Sequence, residues 1–208
     1  MGLSPGKMSD DRPDLFIDAA VRQGELDQRV FSMNFVGDYE LSYITLGGYD
    51  VEQFAKEELT WHDNMSEYYW SVKLDSIRVD GPDHHEEILR QNNRKDMIVD
   101  SGSSYILLPE GKYWDFMDIL GSITDVGTDE WSNVYCYIGP PENLELMPDL
   151  IFTIDGKDYR VPRESLYTPH FEDPEWYVVE VMYLSGWNEY LVGLTFLQNY
   201  YAVYDMDT

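Results

Sequence analysis

Short apolar runs of period two recur along this chain, each closed by a glycine or an Asp-Gly pair. Val30 to Val36, Leu41 to Leu46 before Gly47-Gly48, and Tyr68 to Val79 before Asp80-Gly81 are three of them. Period-two alternation puts successive side chains on opposite faces of an extended segment, so these runs are expected as strands. The longest, Tyr68 to Val79, sets Trp70, Val72 and Leu74 on one face, then Ile77 and Val79 after a phase shift. Met97 to Val99, Ile106 to Leu108, Leu150 to Ile154, Tyr159 to Val161, Trp176 to Leu184, Tyr190 to Val192 and Tyr201 to Tyr204 are further strand-like runs, with Asp155-Gly156 as a second hairpin-type turn. The polar stretch Asp83 to Lys95 fits a turn between strands or a short helix.

Two segments read as helices instead. Pro13 to Gln23 begins on a proline, carries Leu15, Phe16, Ala19 and Ala20 as its apolar face, and stops at Gly24. Pro109 to Leu120 carries Tyr113, Phe116, Met117 and Leu120 on one face, with Gly121 as its stop. A short helical turn is expected at Phe196 to Asn199. With 43% hydrophobic residues a packed core is attainable, and no repeat or linker divides the chain. The expected fold is a single mostly-β domain with a few short helices.

Charge narrows the partners. Forty acidic residues stand against 14 basic ones, a net charge of -26. Phosphate backbones and anionic membranes require a basic surface, so nucleic acid is excluded as a partner. The acidity fits a solubilising surface or adaptation to acid, and composition does not separate the two. No stretch approaches the ~18 apolar residues of a membrane-spanning helix. The start, Met1 to Lys7, has no apolar region of the signal-peptide kind. Cys136 is the single cysteine, so no internal disulfide is available, and a buried free thiol is expected. Asn64-Met65-Ser66 has the form of a glycosylation sequon and is read as chance. His62, His84, His85 and His170 are scattered. The adjacent pair His84-His85, beside Asp83 and Glu86, does not converge on a metal, because neighbouring side chains diverge. No metal or cofactor is expected.

The chemistry-bearing stretch is Ile98-Val99-Asp100-Ser101-Gly102-Ser103-Ser104, leading into Tyr105 to Pro109. A carboxylate at the end of an apolar strand is followed at once by hydroxyl residues that can orient it and a glycine that permits a sharp turn. By itself Asp-Ser-Gly equally describes a buried turn capped by aspartate.

The flanking residues extend the pattern. Ile98 to Ser104 resembles the pepsin-family signature: an apolar strand, Asp-[Thr/Ser]-Gly-[Thr/Ser]-Ser, then an apolar strand ending in proline. Tyr69-Trp70 with the strand after it, Phe31-Ser32, Leu46-Gly47-Gly48, Met147 to Ile154, Tyr190 to Gly193 and Phe196 to Asp205 are similar to further elements of that family, in family order. The resemblance covers nearly the whole chain and implies the C-terminal lobe of a pepsin-like aspartic endopeptidase. Residues 1–12 would be a lead-in from the end of the first lobe, since Gly2-Leu3-Ser4-Pro5 resembles a segment there, and residues 13–208 would be the lobe. It further implies Asp100 as the second catalytic aspartate. Ser101 would grip the opposite lobe, Gly102 would shape the loop, and Ser103 would hydrogen-bond the carboxylate. Ile98, Tyr69 and Ser104 would lie near a polypeptide substrate. A second partner is implied as well: an N-terminal lobe, or another chain, covering the exposed lobe interface. Family members are usually secretory or endolysosomal, whereas this sequence has one cysteine and no visible leader, so no compartment is assigned.

The chain departs from the family in several places. No second Asp-[Ser/Thr]-Gly occurs in the 208 residues. The family's short strand after Asp205 is not reached, its usual cysteine pair is reduced to Cys136, and Leu194 stands where an acidic residue often follows the closing Ile-Leu-Gly. The implied function is therefore aspartic-type peptide-bond hydrolysis, with this chain supplying one aspartate. The alternative is an inactive lobe serving as a structural or interaction subunit. A homodimeric protease with two copies of Asp100 is the third reading and the weakest.

Overall fold

A computed structural model describes residues 3–5, 15–37, 41–90, 95–128, 135–139, 141–170, 173 and 175–207. The chain opens with α1 (Phe16–Arg22), β1 (Val30–Asn34), β2 (Tyr43–Leu46) and α2 (Val51–Phe54). Next come β3 (Ser71–Asp80), β4 (Glu87–Leu89), β5 (Lys95–Val99), β6 (Ile106–Leu107) and α3 (Glu110–Ile123). Then follow β7 (Val126–Thr128), β8 (Tyr135–Ile138), a 3-10 turn at Pro141–Leu146, β9 (Asp149–Ile154), β10 (Lys157–Val161) and α4 (Arg163–Leu166). Strands β11 (Tyr167–Pro169), β12 (Trp176–Val179), β13 (Val181–Met182) and β14 (Tyr190–Val192), helix α5 (Leu194–Leu197) and strand β15 (Tyr201–Asp205) complete it.

Among the described residues the strands form three sheets. One has three strands in the order β15-β1-β2. The largest runs β10-β9-β3-β5-β14-β6-β13, with β4 paired to β3. The last is β11-β12-β8-β7. The long strand β3 is central, pairing with β5 through Ser71 to Leu74 and with β9 through Leu74 to Asp80. The register with β9 shifts between Leu74 and Ser76. This irregularity is the phase shift read from the alternation: Leu74 is buried on one side of it, Ile77 and Val79 on the other.

The main core lies between the large sheet and α3. Tyr113, Phe116, Met117 and Leu120 of α3 are all buried there, with Leu74, Ile77, Phe152, Val192 and Phe196. A smaller cluster joins α1 to the three-stranded sheet through Ile17, Phe31, Met33 and Tyr204.

Several expectations are corrected. The helix at Glu110–Ile123 runs through Gly121, which has open space around it, and ends at Thr124. Burial of the face built on Phe116 and Leu120 outweighs the roughly 1 kcal/mol that an interior glycine costs. In α1 the buried residue is Ile17, while Phe16 is 48% exposed, so the core meets the Ile17–Val21 side instead of Phe16. Pro13 lies outside the described residues, and Gly24 follows the helix with φ +75°. The run Trp176 to Leu184 is two strands broken at Glu180. The Asp83–Lys95 stretch is a turn leading into β4, with Gly81 N–H donating to His84 O at 2.8 Å, and residues 91–94 lie outside the description. Cys136 is on β8, and its side chain is likewise outside the description.

Candidate functional site

Three strands carry the Asp100 loop. β14 lies between β5 and β6, parallel to β5 (Leu191 beside Ile98) and antiparallel to β6 (Leu191 beside Leu107). The chain leaving β5 therefore turns through Asp100 to Tyr105 and comes back as β6 on the far side of β14. The Asp100 N–H donates to Val192 O at 3.0 Å, which continues the β5–β14 ladder to the aspartate itself.

Both carboxylate oxygens of Asp100 are held from within the loop. The Gly102 N–H donates to Oδ1 at 2.9 Å, and the Ser103 hydroxyl donates to Oδ2 at 2.7 Å. Ser103 N–H closes the turn onto Asp100 O at 3.2 Å. Each oxygen thus accepts one bond from the loop, and a carboxylate oxygen has lone-pair capacity for another.

The start of α5 grips the other limb of the loop. Leu194 N–H donates to Ser103 O at 2.8 Å, and both the N–H and the hydroxyl of Thr195 donate to Ser104 O at 2.9 Å. Gly193 makes this crossing possible: a Cβ there would lie 2.3 Å from Ser103 O and 2.6 Å from Tyr105 O. Among the sequence signals, the Tyr190 to Gly193 segment pointed here, but nothing in it showed that Thr195 would hold Ser104.

Beneath the loop lies an aromatic layer. Tyr204 stacks on Phe31 with ring centroids 4.6 Å apart, and Trp70 meets both edge-on. Trp70 Nε1–H donates to Leu3 O at 2.7 Å, and Trp70 O accepts from the Val99 N–H at 2.8 Å. Burial pushes the Tyr204 hydroxyl pKa far up, and the Asp100 charge pushes it the same way. Tyr204 therefore stays a neutral phenol close enough to sense Asp100.

The other expected site residues are placed unevenly. Ser101 is half-buried on the turn, and Ser104 is exposed, with its carbonyl engaged as above. The antiparallel pairing of Ser71 with Ile98 brings Tyr69 level with Asp100, where Tyr69 is exposed. The Ile98 side chain, in contrast, is buried against Leu107 and Leu191. Around the Asp80 turn, His84 pairs with Glu86 and His85 with Asp80, and no cluster of three or more metal-ligating side chains occurs among the described residues. The Asn64 side chain of the sequon is bonded internally, accepting from Ser71 N–H and donating to Ser66 O. No described helix is long and apolar enough to cross a membrane.

Structural comparison places this architecture among the aspartic proteinases. The crystal structure of the aspartic proteinase from Irpex lacteus superposes with a TM-score of 0.70 at 20% identity, covering 91% of this chain and 57% of that one. The family model for eukaryotic aspartyl proteases matches residues 1–208, and the chain belongs to that family. Pepsin B of Canis lupus familiaris is 26% identical over 99% of the chain, and pepsin A of Sus scrofa is 29% identical over 88%. Cathepsin E of Aquarana catesbeiana is 29% identical over 78%. The chain spans 51%, 45% and 38% of these relatives' own lengths, about half or less.

Proposed function

We propose that this chain is the C-terminal lobe of an aspartic endopeptidase and that Asp100 is one of its two catalytic carboxylates. The observation that carries the reading is the Asp100 loop, whose two carboxylate oxygens are each oriented by one internal donor and left with capacity to bind outward. Paired with a second carboxylate across a cleft, Asp100 would share one proton, because two like charges so close do not both ionise readily. The ionised member would take a proton from water as it attacks the scissile carbonyl, and the protonated member would donate toward the carbonyl oxygen. Ser103 and Gly102 would fix the carboxylate plane, and Ser101 would reach the opposite lobe. Tyr69 and Ser104, both exposed beside the loop, would face a polypeptide substrate. Ile98, buried beneath, would act through packing only.

The partner would be a first lobe, or another chain, seated on the three-stranded sheet. Tyr43 and Ile44 of β2 are 47% and 53% exposed at one edge of that sheet, and β15 forms the other edge.

A second reading, a lobe retained for protein interaction without catalysis, is favoured by the lone Asp-Ser-Gly within these 208 residues. The test reconstitutes the chain with a separately made first lobe of a related pepsin and follows cleavage of an unstructured peptide at acid pH. Cleavage that disappears with Asp100→Asn supports the enzyme. A stable complex that never cleaves supports the second reading, and cleavage unaffected by Asp100→Asn removes Asp100 from the mechanism.

A further inference from the structure

Residues 55–66 cross from α2 to β3 without helix or strand. They form a strap between two cavities of about 400 and 180 Å³, with Thr60 and Trp61 lining both. The strap is anchored at its far end, where Asn64 Oδ1 accepts from Ser71 N–H at 2.9 Å and Met65 N–H donates to Ser71 O at 2.9 Å. Nearer its middle, Lys157 of β10 reaches Glu57 at 3.3 Å and the Thr60 hydroxyl at 2.9 Å.

His62 has an unusual environment. Its Nε2 lies 2.6 Å from the Tyr159 hydroxyl, whereas its Nδ1 is buried with no hydrogen-bond partner. The Asp155 Oδ2 oxygen stands 3.8 Å from that Nδ1, just beyond bonding range. Asp155 is itself fixed. It occupies the tip of the β9–β10 hairpin with φ +50°, and its Oδ1 accepts from Lys73 Nζ at 2.8 Å. Lys73 also meets Asp75 at 3.0 Å, and Asp75 accepts from the Gly156 N–H at 2.8 Å.

Charged and titratable groups surround His62 from every neighbouring element. β3 contributes Lys73 and Asp75, the hairpin tip Asp155, and β10 Lys157 and Tyr159. Tyr200 packs behind Tyr159, and the strap itself carries Lys56, Glu57, Glu58 and Asp63. A neutral imidazole has one donor and one acceptor nitrogen. With Nε2–H donating to Tyr159, the bare Nδ1 lone pair faces a carboxylate; with the other tautomer, the Nδ1–H has no acceptor in reach. After a movement of about 1 Å to normal hydrogen-bond length the neutral Nδ1–H tautomer can donate to Asp155 while accepting from the Tyr159 hydroxyl, and protonation turns the Asp155 contact into a stronger, charge-assisted one.

We propose that His62 and Asp155 form a proton-sensitive latch that holds the 55–66 strap to the β9–β10 hairpin more tightly in acid and loosens it as the imidazole deprotonates. The latch sets how tightly the shared wall of the two cavities is held. It is independent of the role assigned to Asp100.

Amide exchange of the strap, corrected for intrinsic rates and followed from pH 8 to pH 5, tests the latch, with the His62 ring signal followed by NMR over the same range. Protection of residues 57–65 is expected to rise roughly three- to tenfold on acidification, the scale of one partly buried ion pair, with the same midpoint as the ring signal. His62→Gln keeps a donor for Tyr159 but cannot take up a proton, and its profile is expected to be flat. Asp155→Asn, which the positive φ tolerates, is expected to be flat as well. A pH-independent strap in the unaltered protein overturns the proposal. So do separate midpoints for ring and strap, or an unchanged rise in His62→Gln. The first two readouts need no variant to fold.

Discussion

At Gly193 the turn from β14 into α5 passes close against the loop that bears Asp100. The glycine's missing side chain lets the start of α5 reach the carbonyls of Ser103 and Ser104, which in turn hold the loop bearing Asp100. The obstacle to a larger residue is rigid backbone oxygen, so it cannot be relieved by a rotamer change. Gly193→Ala is expected to destabilise the fold by at least about 2 kcal/mol, read as a lower urea midpoint. An unchanged midpoint would mean that the crossing is looser than these contacts describe.

Glu180 marks the point where the chain passes from the β11-β12-β8-β7 sheet into the large sheet. It interrupts the apolar run from Trp176, yet its backbone stays in use, donating to Leu166 O and accepting from the Ile106 N–H. Its carboxylate is tucked inward with the Thr168 hydroxyl donating to it at 2.5 Å. Burial raises the Glu180 pKa, and the Thr168 hydroxyl only partly opposes that rise. A carboxyl whose folded pKa lies above its unfolded value resists ionisation in the fold. Well below the unfolded value both states are protonated and nothing is lost. The cost appears as pH rises through the interval up to the raised folded value, and it persists above it. Glu180→Gln should therefore gain stability relative to the unaltered protein at pH 7, and the gain should vanish near pH 3. Parallel denaturation series at the two pH values give the answer, and an equal difference at both would show that burial of the charge is not the cause.

At the scale of the molecule, β2 and β15 are the open edges of the three-stranded sheet among the described residues. Its small cluster of Ile17, Phe31, Met33 and Tyr204 is packed by α1, and Phe54 of α2 packs on Tyr43 and Tyr201, while Leu41, Tyr43 and Ile44 remain partly exposed around β2. Exposed apolar residues at a sheet edge are suited to an interface, and a net charge of -26 opposes aggregation by repulsion. The purified chain is expected to bind a hydrophobic dye while staying in solution and to cleave no peptide at acid pH. A dye-negative monomer at high concentration would mean that the sheet needs no partner. The chain would then stand as a self-sufficient module.

Much of this was local and therefore legible in the residues. The strands of the large sheet follow from short apolar runs, with alternation in β3, and the α3 face of Tyr113, Phe116, Met117 and Leu120 follows from spacing. Asp100, Gly102 and Ser103 lie within four consecutive positions, so their mutual hydrogen bonds are a property of that short segment. The break at Glu180, the passage of α3 through Gly121 and the choice of Ile17 over Phe16 were decided by what packs against each element, which no window of neighbouring residues contains. The same holds for the site's supports. Thr195 meets Ser104 across 91 residues, Tyr204 meets Phe31 from the opposite end of the chain, and His62 meets Tyr159 across 97. A sequence specifies which groups can bond. Only the folded chain, by closing those loops, determines which of them come within hydrogen-bonding reach.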